Sequence, residues 1–523
     1  MRFKAIDFYS GIGGWTLGMK LSGIESLQAF EWWDQANTTH NKNFNREHDE
    51  IDIRKIDPQK DLKHLKGVNF IVGSPPCTQF SYANRGGSGD ISDGLVDIYK
   101  FLEIVNYLKP KYWAMENVPR VAKILKKEIQ KDGQLEKFSH LVKYIEVVNS
   151  AEYGVPQKRK RMIAGNFPFK LFDSYKSKIK TKTLKDVLVS LNKNKVVDIN
   201  YGIKLDKKNL FDHIIESDLT DEEKRINSDA KTFHPIYNNM SFPEKLHLPA
   251  RTITATCTRV SRESIIVESD TGYRRLTIRE RGVIQGFPIT FQFYGNTYNS
   301  KIKMIGNAIP PILTYYLFQS MLKVPLDKLQ SPEESTYKHV TPETLPPKTS
   351  PDYSKRKFPY SRKFRYAIPN LRYGSAVRFE LSNSFNKRKP NWRFRFFYGN
   401  SKQIRDVNLD INIISIIQSR LSKNTIENYN QEIESLLDKF GTLSSNELQF
   451  SWIDSKENML AFNIIDEIGK SVLNLLEIQD EILKPYTIVR DILKTDKKKI
   501  DENSGSILIG LYLLSSLNEK MIL

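Results

Sequence analysis

Two cysteines, Cys77 and Cys257, are all that 523 residues contain. So few, and so far apart, they exclude a disulfide framework and a multi-cysteine zinc site, and they suit a reducing compartment. Long apolar runs are also missing: the longest, near 506–516, is about half of the roughly 20 residues a membrane-spanning helix needs. The opening MRFKAIDFYSGIGG carries no apolar core with a small-residue cleavage site, so export is not expected and the chain reads as cytoplasmic, with no membrane partner. Negative charge is in short supply. Against 80 Lys and Arg stand 61 Asp and Glu, a net +19, which favours a polyanionic partner. Residues 351–400 alone carry 13 Lys or Arg, 2 acidic residues and 13 interleaved aromatics, a local +11.

The length predicts two or three domains. In the first 165 residues KAIDFYS, SLQAFEW, VNFIVGSPP, YWAMENV and RMIAGNF read as buried strands with helices between them. That alternation predicts an α/β fold built on a parallel, doubly wound sheet. From 170 to about 246 the pattern loosens into a lysine-rich region, and order returns from ARTITATCTRV to about 324. Prolines at 325, 332, 342, 346, 347 and 351 exclude continuous helix or strand and mark a linker. Beyond it SAVRFELSN and NWRFRFFYGN read as a hairpin, and INIISIIQSRL, NQEIESLLDKF and SVLNLLEIQDEIL carry helical apolar spacing.

The chemistry gathers at predicted strand ends. DFYSGIGGWTLG is a strand, a glycine-rich turn and a helix start, which lets backbone approach a ligand closely. Glu31 ends the next strand and suits ribose hydroxyls; Trp32 beside it is placed to cover an adenine face; Asp52 is expected to end a third strand and accept from an adenine amino group. Cys77 follows Pro75 and Pro76 at the end of an apolar run, ahead of a polar, glycine-containing stretch suited to a mobile lid. Glu116 ends a further strand, and Arg159 and Arg161 precede another. A thiol, a carboxyl group and guanidinium groups at neighbouring strand ends suit addition to a pyrimidine ring.

These residues resemble the cytosine-5 DNA methyltransferases over roughly 3–324. The motifs fall in that family's order: the FxGxGG-type loop at 8–14, PPC at 75–77, ENV at 116–118, QxRxR at 157–161, RTIT at 251–254 and GNAIPP at 306–311. The resemblance implies a Rossmann-like methyltransferase sheet and S-adenosylmethionine as cofactor. It makes Cys77 the nucleophile at carbon 6 of a cytosine flipped from duplex DNA. Glu116 would hold ring nitrogen 3 and the amino group, Arg161 the exocyclic oxygen, and Arg159 would lie close to the nucleophile, with Gln157 positioning the strand. For the cofactor it implies Tyr9, Ser10, Gly11, Gly13, Gly14, Glu31, Trp32, Asp52, Ile53, Pro76, Leu95 and Asn307, and no metal. Ile51 stands where the family usually has glycine before Asp52, and the stretch around Leu95 matches loosely. Cys257 lies outside the motifs and reads as structural.

The implied division is a catalytic and cofactor-binding domain at 1–169, a target-recognition region at 170–248, a return to the catalytic domain at 249–324, the linker at 325–352 and an extra basic α+β domain at 353–523. Arg259, Arg262, Arg274 and Arg275 are candidate DNA contacts. The basic, aromatic strands of the last domain suit backbone binding with base stacking, or a ribbon entering a groove, or a layer that packs its aromatics internally. The implied setting is restriction-modification or phage defence, with double-stranded DNA, and a cognate endonuclease or defence proteins, as partners of a monomer. Two other readings stay open: the transfer-RNA branch of the family, whose CFT tripeptide after ENV is replaced by RVAKILKK, and a DNA-binding protein without catalysis.

Overall fold

The strands KAIDF, FIVG and YWAMEN are apolar on both pleats, the pattern of strands covered on two faces. They form the centre of a six-stranded sheet: β1 (Lys4–Phe8), β2 (Glu25–Phe30), β3 (Phe70–Gly73), β4 (Tyr112–Asn117), β5 (Tyr144–Asn149) and β6 (Lys160–Gly165), in the order β2-β1-β3-β4-β6-β5. The computed structural model describes residues 3–76, 79–80, 90–234, 238–351, 358–373, 377–400, 403–454, 459–478, 484–495 and 498–522. It divides into two compact units, Met1–Ser354 and Lys355–Leu523.

In the first unit β1 to β4 are mutually parallel, and β6 runs antiparallel to both β4 and β5. Separate apolar cores cover the two faces. Ala5, Val72, Ala114 and Ile163 pack with residues of α1 (Gly14–Leu21) and the C-terminal segment, whereas Ile6, Phe8, Ile71 and Trp113 pack with Ile98, Phe101 and Leu102 of the helix Ile91–Leu108. The sheet is therefore doubly wound but mixed, with one reversed strand. That reversal brings the start of β6 to the carboxyl edge of its parallel neighbours: Asn117 pairs with Met162 and Glu116 with Ile163.

Asp52 does not end a third strand. Its segment, HDEID, has too few apolar residues to bury; a single parallel bridge, Glu31 to Glu50, is all it contributes to pairing, and Asp52 instead caps a 3-10 turn, Ile53–Lys55. Among the described residues the proline-rich stretch forms two 3-10 turns, Leu326–Lys328 and Pro332–Glu334. It straps the first unit: Ser335 Oγ donates to Leu21 O (2.7 Å), Thr290 Oγ1 to His339 O (3.0 Å) and Lys301 Nζ to Pro347 O (2.9 Å).

The second unit carries a four-stranded antiparallel sheet, β7 (Arg365–Arg372), β8 (Arg378–Asn386), β9 (Lys389–Asn400) and β10 (Gln403–Val407), in that order. One face packs on helices that include Leu460–Glu477 and Ser504–Lys520. The apolar run near 506–516 is the interior of the latter helix, buried along its length; Gly510 brings it so close to β8 that a Cβ would lie 2.9 Å from the Phe379 ring. Phe379, Trp392, Phe394, Phe396 and Tyr398 are all buried. The aromatics of the basic strands are thus core residues, not a stacking platform. Among the described residues no helix is long and apolar enough to cross a membrane.

Candidate active site

β1 ends in a turn that only an unusual backbone can make. Tyr9, Gly11 and Gly13 all have positive φ (55°, 54° and 95°), and Gly13 caps α1. A Cβ on Gly14 would lie 2.2 Å from Ile309 O, so the turn is built against the GNAIPP segment from the other end of the unit. Beneath it Thr16 Oγ1 donates to Asp7 Oδ2 (3.1 Å) and lies 2.9 Å from His40 Nε2, on the helix Asp34–Phe44. Burial pushes the Asp7 carboxyl well above the usual carboxylate range and His40 down to about 3. Burial therefore works against charge on both groups beneath the turn.

Glu31 sits at the end of β2 with its carboxylate bound to three backbone N–H groups, from Gly11 (2.8 Å), Trp32 (2.9 Å) and Trp33 (2.8 Å). Burial raises its pKa against the pull of those bonds. A carboxylate accepts about four hydrogen bonds, so one site remains for a ligand hydroxyl. Trp32 is 62% exposed, a large apolar surface left uncovered beside it. The Ser10 hydroxyl is buried and finds no hydrogen-bond partner among the described residues. Asn307 is exposed while Met304–Ile305 and Ala308–Pro311 around it are buried. An orphaned hydroxyl, a spare acceptor and a bare indole at the ends of β1 and β2, with an outward amide two residues before the Ile309 that backs the turn, fit a nucleoside cofactor such as S-adenosylmethionine.

Other implied cofactor residues are placed differently. Tyr9 is in the core, its hydroxyl 3.3 Å from both Asp97 O and Oδ1, and burial raises its pKa. Asp52 Oδ1 accepts from Arg54 N (3.1 Å), Ile53 is buried, and Leu95 lies in the core on Ile91–Leu108. The same turn supplies Arg54, which the sequence reading missed. Its guanidinium holds Asp97 (2.9 and 2.7 Å) and Asp93 (2.9 Å), and Asp93 in turn accepts from Gln79 Nε2 (3.2 Å), two residues past Cys77.

Cys77 itself lies outside the described residues, and Pro76 is half-buried. The chain leading to it is pinned from two sides: Trp15 Nε1 donates to Ser74 Oγ (3.0 Å) and Asn117 Nδ2 to Pro75 O (3.1 Å). Asn117 was visible as the middle of ENV, yet only its neighbour had been given a role. Glu116 is buried next to Pro75's anchor and pairs with Arg161, Nε to Oε1 2.8 Å, across the β4–β6 ladder.

Arg159 binds backbone carbonyls. It is buried and donates to Ile253 O (2.9 Å), Gly306 O (2.8 Å) and Ala308 O (3.1 Å), tying the RTIT and GNAIPP segments to the start of β6. Gln157 completes the tie, accepting from Ile253 N (2.8 Å) and donating to Gln285 Oε1 (2.6 Å). The candidate DNA contacts need correction. Arg259 pairs with Glu223 (2.7 Å), Arg274 with Glu280 (2.8 Å) and Arg275 with Glu216 (2.8 Å), all buried, so these guanidinium groups brace the fold and face no nucleic acid; Arg262 stays partly exposed. Cys257 is buried, its sulfur 3.0 Å from Arg281 Nη2.

A family model described as C-5 cytosine-specific DNA methylase matches residues 3–323. Type II methyltransferase M.FnuDI of Fusobacterium nucleatum is 29% identical over 360 residues, 65% of this chain and 99% of that protein. Type II methyltransferase M.HgiDI of Herpetosiphon aurantiacus is 28% identical over 326 residues, 61% and 94% of the two chains. Among solved structures, Entamoeba histolytica methyltransferase EhMeth is 18% identical, covers 62% of this chain and 98% of its own, and has a TM-score of 0.44. With more than half of its length matched, the chain belongs to the C-5 cytosine-specific DNA methylase family, a DNA cytosine methyltransferase with a second unit outside the matched segment.

Proposed function

We propose that the enzyme methylates carbon 5 of a cytosine flipped out of duplex DNA, through a transient bond from Cys77 Sγ to carbon 6. The observation that carries this is the Glu116–Arg161 pair at the carboxyl edge, next to the pinned Ser74–Pro75 segment that Cys77 follows in sequence. Carbon 6 of a stacked, paired base is out of reach, so the base must leave the duplex. S-adenosylmethionine, bound by Ser10, Gly11, Glu31, Trp32 and Asn307, supplies an electrophilic methyl group on a sulfonium.

The Cys77 thiolate adds to carbon 6. The Glu116 carboxyl group gives a proton to ring nitrogen 3, so the electron pair pushed into the ring becomes a nucleophilic enamine at carbon 5. Arg161 keeps the Glu116 carboxyl oriented and reaches the exocyclic oxygen. After methylation, loss of the carbon 5 proton to water lets the thiolate leave, nitrogen 3 gives its proton back, and the ring is aromatic again. Arg159, whose Nη1 and Nη2 hold three carbonyls, is assigned a positioning role close to the nucleophile. We keep 170–248 as the recognition region and restriction-modification or phage defence as the setting.

The test is a duplex carrying 5-fluorocytosine, whose carbon 5 has no proton to lose. With S-adenosylmethionine the wild type is expected to form a denaturation-resistant protein–DNA complex and Cys77→Ala none. An equally abundant complex from the variant overturns the mechanism. Bisulfite sequencing of plasmid from expressing cells is expected to confine methylcytosine to one short sequence; scattered methylation would sink the modification-enzyme reading.

A further inference from the structure

The sheet of the second unit has two unlike faces, and the register fixes which residues share each. Arg365 pairs with Ser382 and Ser382 with Arg393; Arg372 pairs with Arg378 and Arg378 with Phe397; Glu380 pairs with Arg395, and Asn386 with Lys389. Directly paired residues point to the same side. Arg365, Arg372, Arg378, Lys389, Arg393 and Arg395 therefore share the face opposite to Phe379, Trp392, Phe394 and Phe396, which pack inward. On that face the strands carry two carboxylates, Glu380 and Asp406.

The basic groups are ordered, not loose. Glu380, buried beneath them, takes Arg365 on one oxygen (2.7 Å) and Arg378 on the other (2.9 Å). Arg365 and Arg395 flank the Phe397 ring at 5.1 and 4.8 Å, and Arg395 also pairs with Asp406. Arg365 nonetheless keeps 54% of its side chain exposed, and Arg372, Lys389 and Arg393 are exposed with no ion pair among the described residues. Charge is segregated within the unit: residues 401–523 hold 14 Lys or Arg against 19 Asp or Glu, so the positive excess belongs to the sheet.

The geometry points to this arginine face as a second DNA-binding surface, one that grips the phosphate backbone of the duplex the first unit methylates. Guanidinium groups held by a carboxylate and a ring suit phosphate oxygens. With the strands' other aromatics turned inward the face has little to stack on bases, so it contributes affinity without sequence preference. The inference rests on DNA as the substrate, and not on the cysteine adduct.

The test uses the full chain and a fluorescein-labelled 30-base-pair duplex, read by anisotropy without turnover. The triple variant Arg372→Gln/Lys389→Gln/Arg393→Gln is expected to weaken binding on the order of tenfold near 0.1 M salt, and to make the slope of log K against log salt shallower by about 2–3. The loss should be the same with and without the methylated site. Methylation at saturating DNA and the thermal midpoint should be unchanged. Arg372→Lys/Arg393→Lys, which keeps the charge, should keep the slope. Unchanged affinity and slope in the triple variant overturn the proposal; so does a loss confined to duplex RNA, or one restricted to DNA containing the site.

Discussion

Arginine does opposite work in the two units. In the first, Arg159, Arg275, Arg279 and Arg281 are among the largest fully buried side chains, each committed to carbonyls, a carboxylate or a sulfur. In the second, Arg372 and Arg393 stand outward while the aromatics between them fill the core. A guanidinium with five donors can tie loops together where there is no water, or present charge where there is. The first unit has long irregular segments with many carbonyls to satisfy; the second has a regular sheet whose backbone satisfies itself.

Substitutions can break this contrast. Arg275→Ala strips buried Glu216 of its two-oxygen partner and leaves it only the longer contact to Arg259 (3.4 Å), and is expected to cost about 3 kcal/mol in the unfolding of the first unit. Arg393→Ala should change stability by no more than about 0.5 kcal/mol. Denaturant titration of the two variants checks both, and equal effects would erase the distinction. Trp392→Ala is expected to cost about 3–5 kcal/mol in the second unit, since the indole is buried and donates to Gln449 Oε1 at 3.0 Å. If it left stability untouched and abolished DNA binding, the aromatics would be a stacking surface after all.

A subtler separation uses pH. All eight histidines precede residue 355, so histidine-linked stability belongs to the first unit. Burial lowers His339 to about 4 and His40 to about 3. Each is held neutral in the fold but takes a proton near pH 6.5 when unfolded, so stability is full above that value and falls as pH drops towards 4. The His339→Asn variant should show a shallower decline between pH 6.5 and 5, by up to about 1.4 kcal/mol per pH unit. The second unit's transition should be flat in histidine terms over the same window.

The same contrast shows what the sequence could reveal. Strands β1, β3 and β4 were legible because burial on both faces demands unbroken apolar runs, and β2 and β6 from shorter apolar stretches at their ends. Strand β5, YIEVVN, is half-exposed and was not separated from its surroundings. The pairing of Glu116 with Arg161 needs β6 to run backwards, which an alternation of strands and helices does not announce. Buried arginines escaped because their partners are remote: Glu216 lies 59 residues from Arg275, and Glu223 lies 36 from Arg259. A basic residue looks the same in a list whether it faces phosphate or a hidden carboxylate. RFRFF was informative about alternation, but alternation does not say which side meets water.

Gly14 lies against Ile309, and Gly14 O accepts from Thr314 Oγ1 at 2.9 Å across 300 residues of sequence. On the ribosome this glycine turn is made long before the segment it packs against, and it is one of the last parts of the unit to be finished. Until residues 306–314 emerge, the turn has no wall behind it, so Gly14 has nothing to pack against.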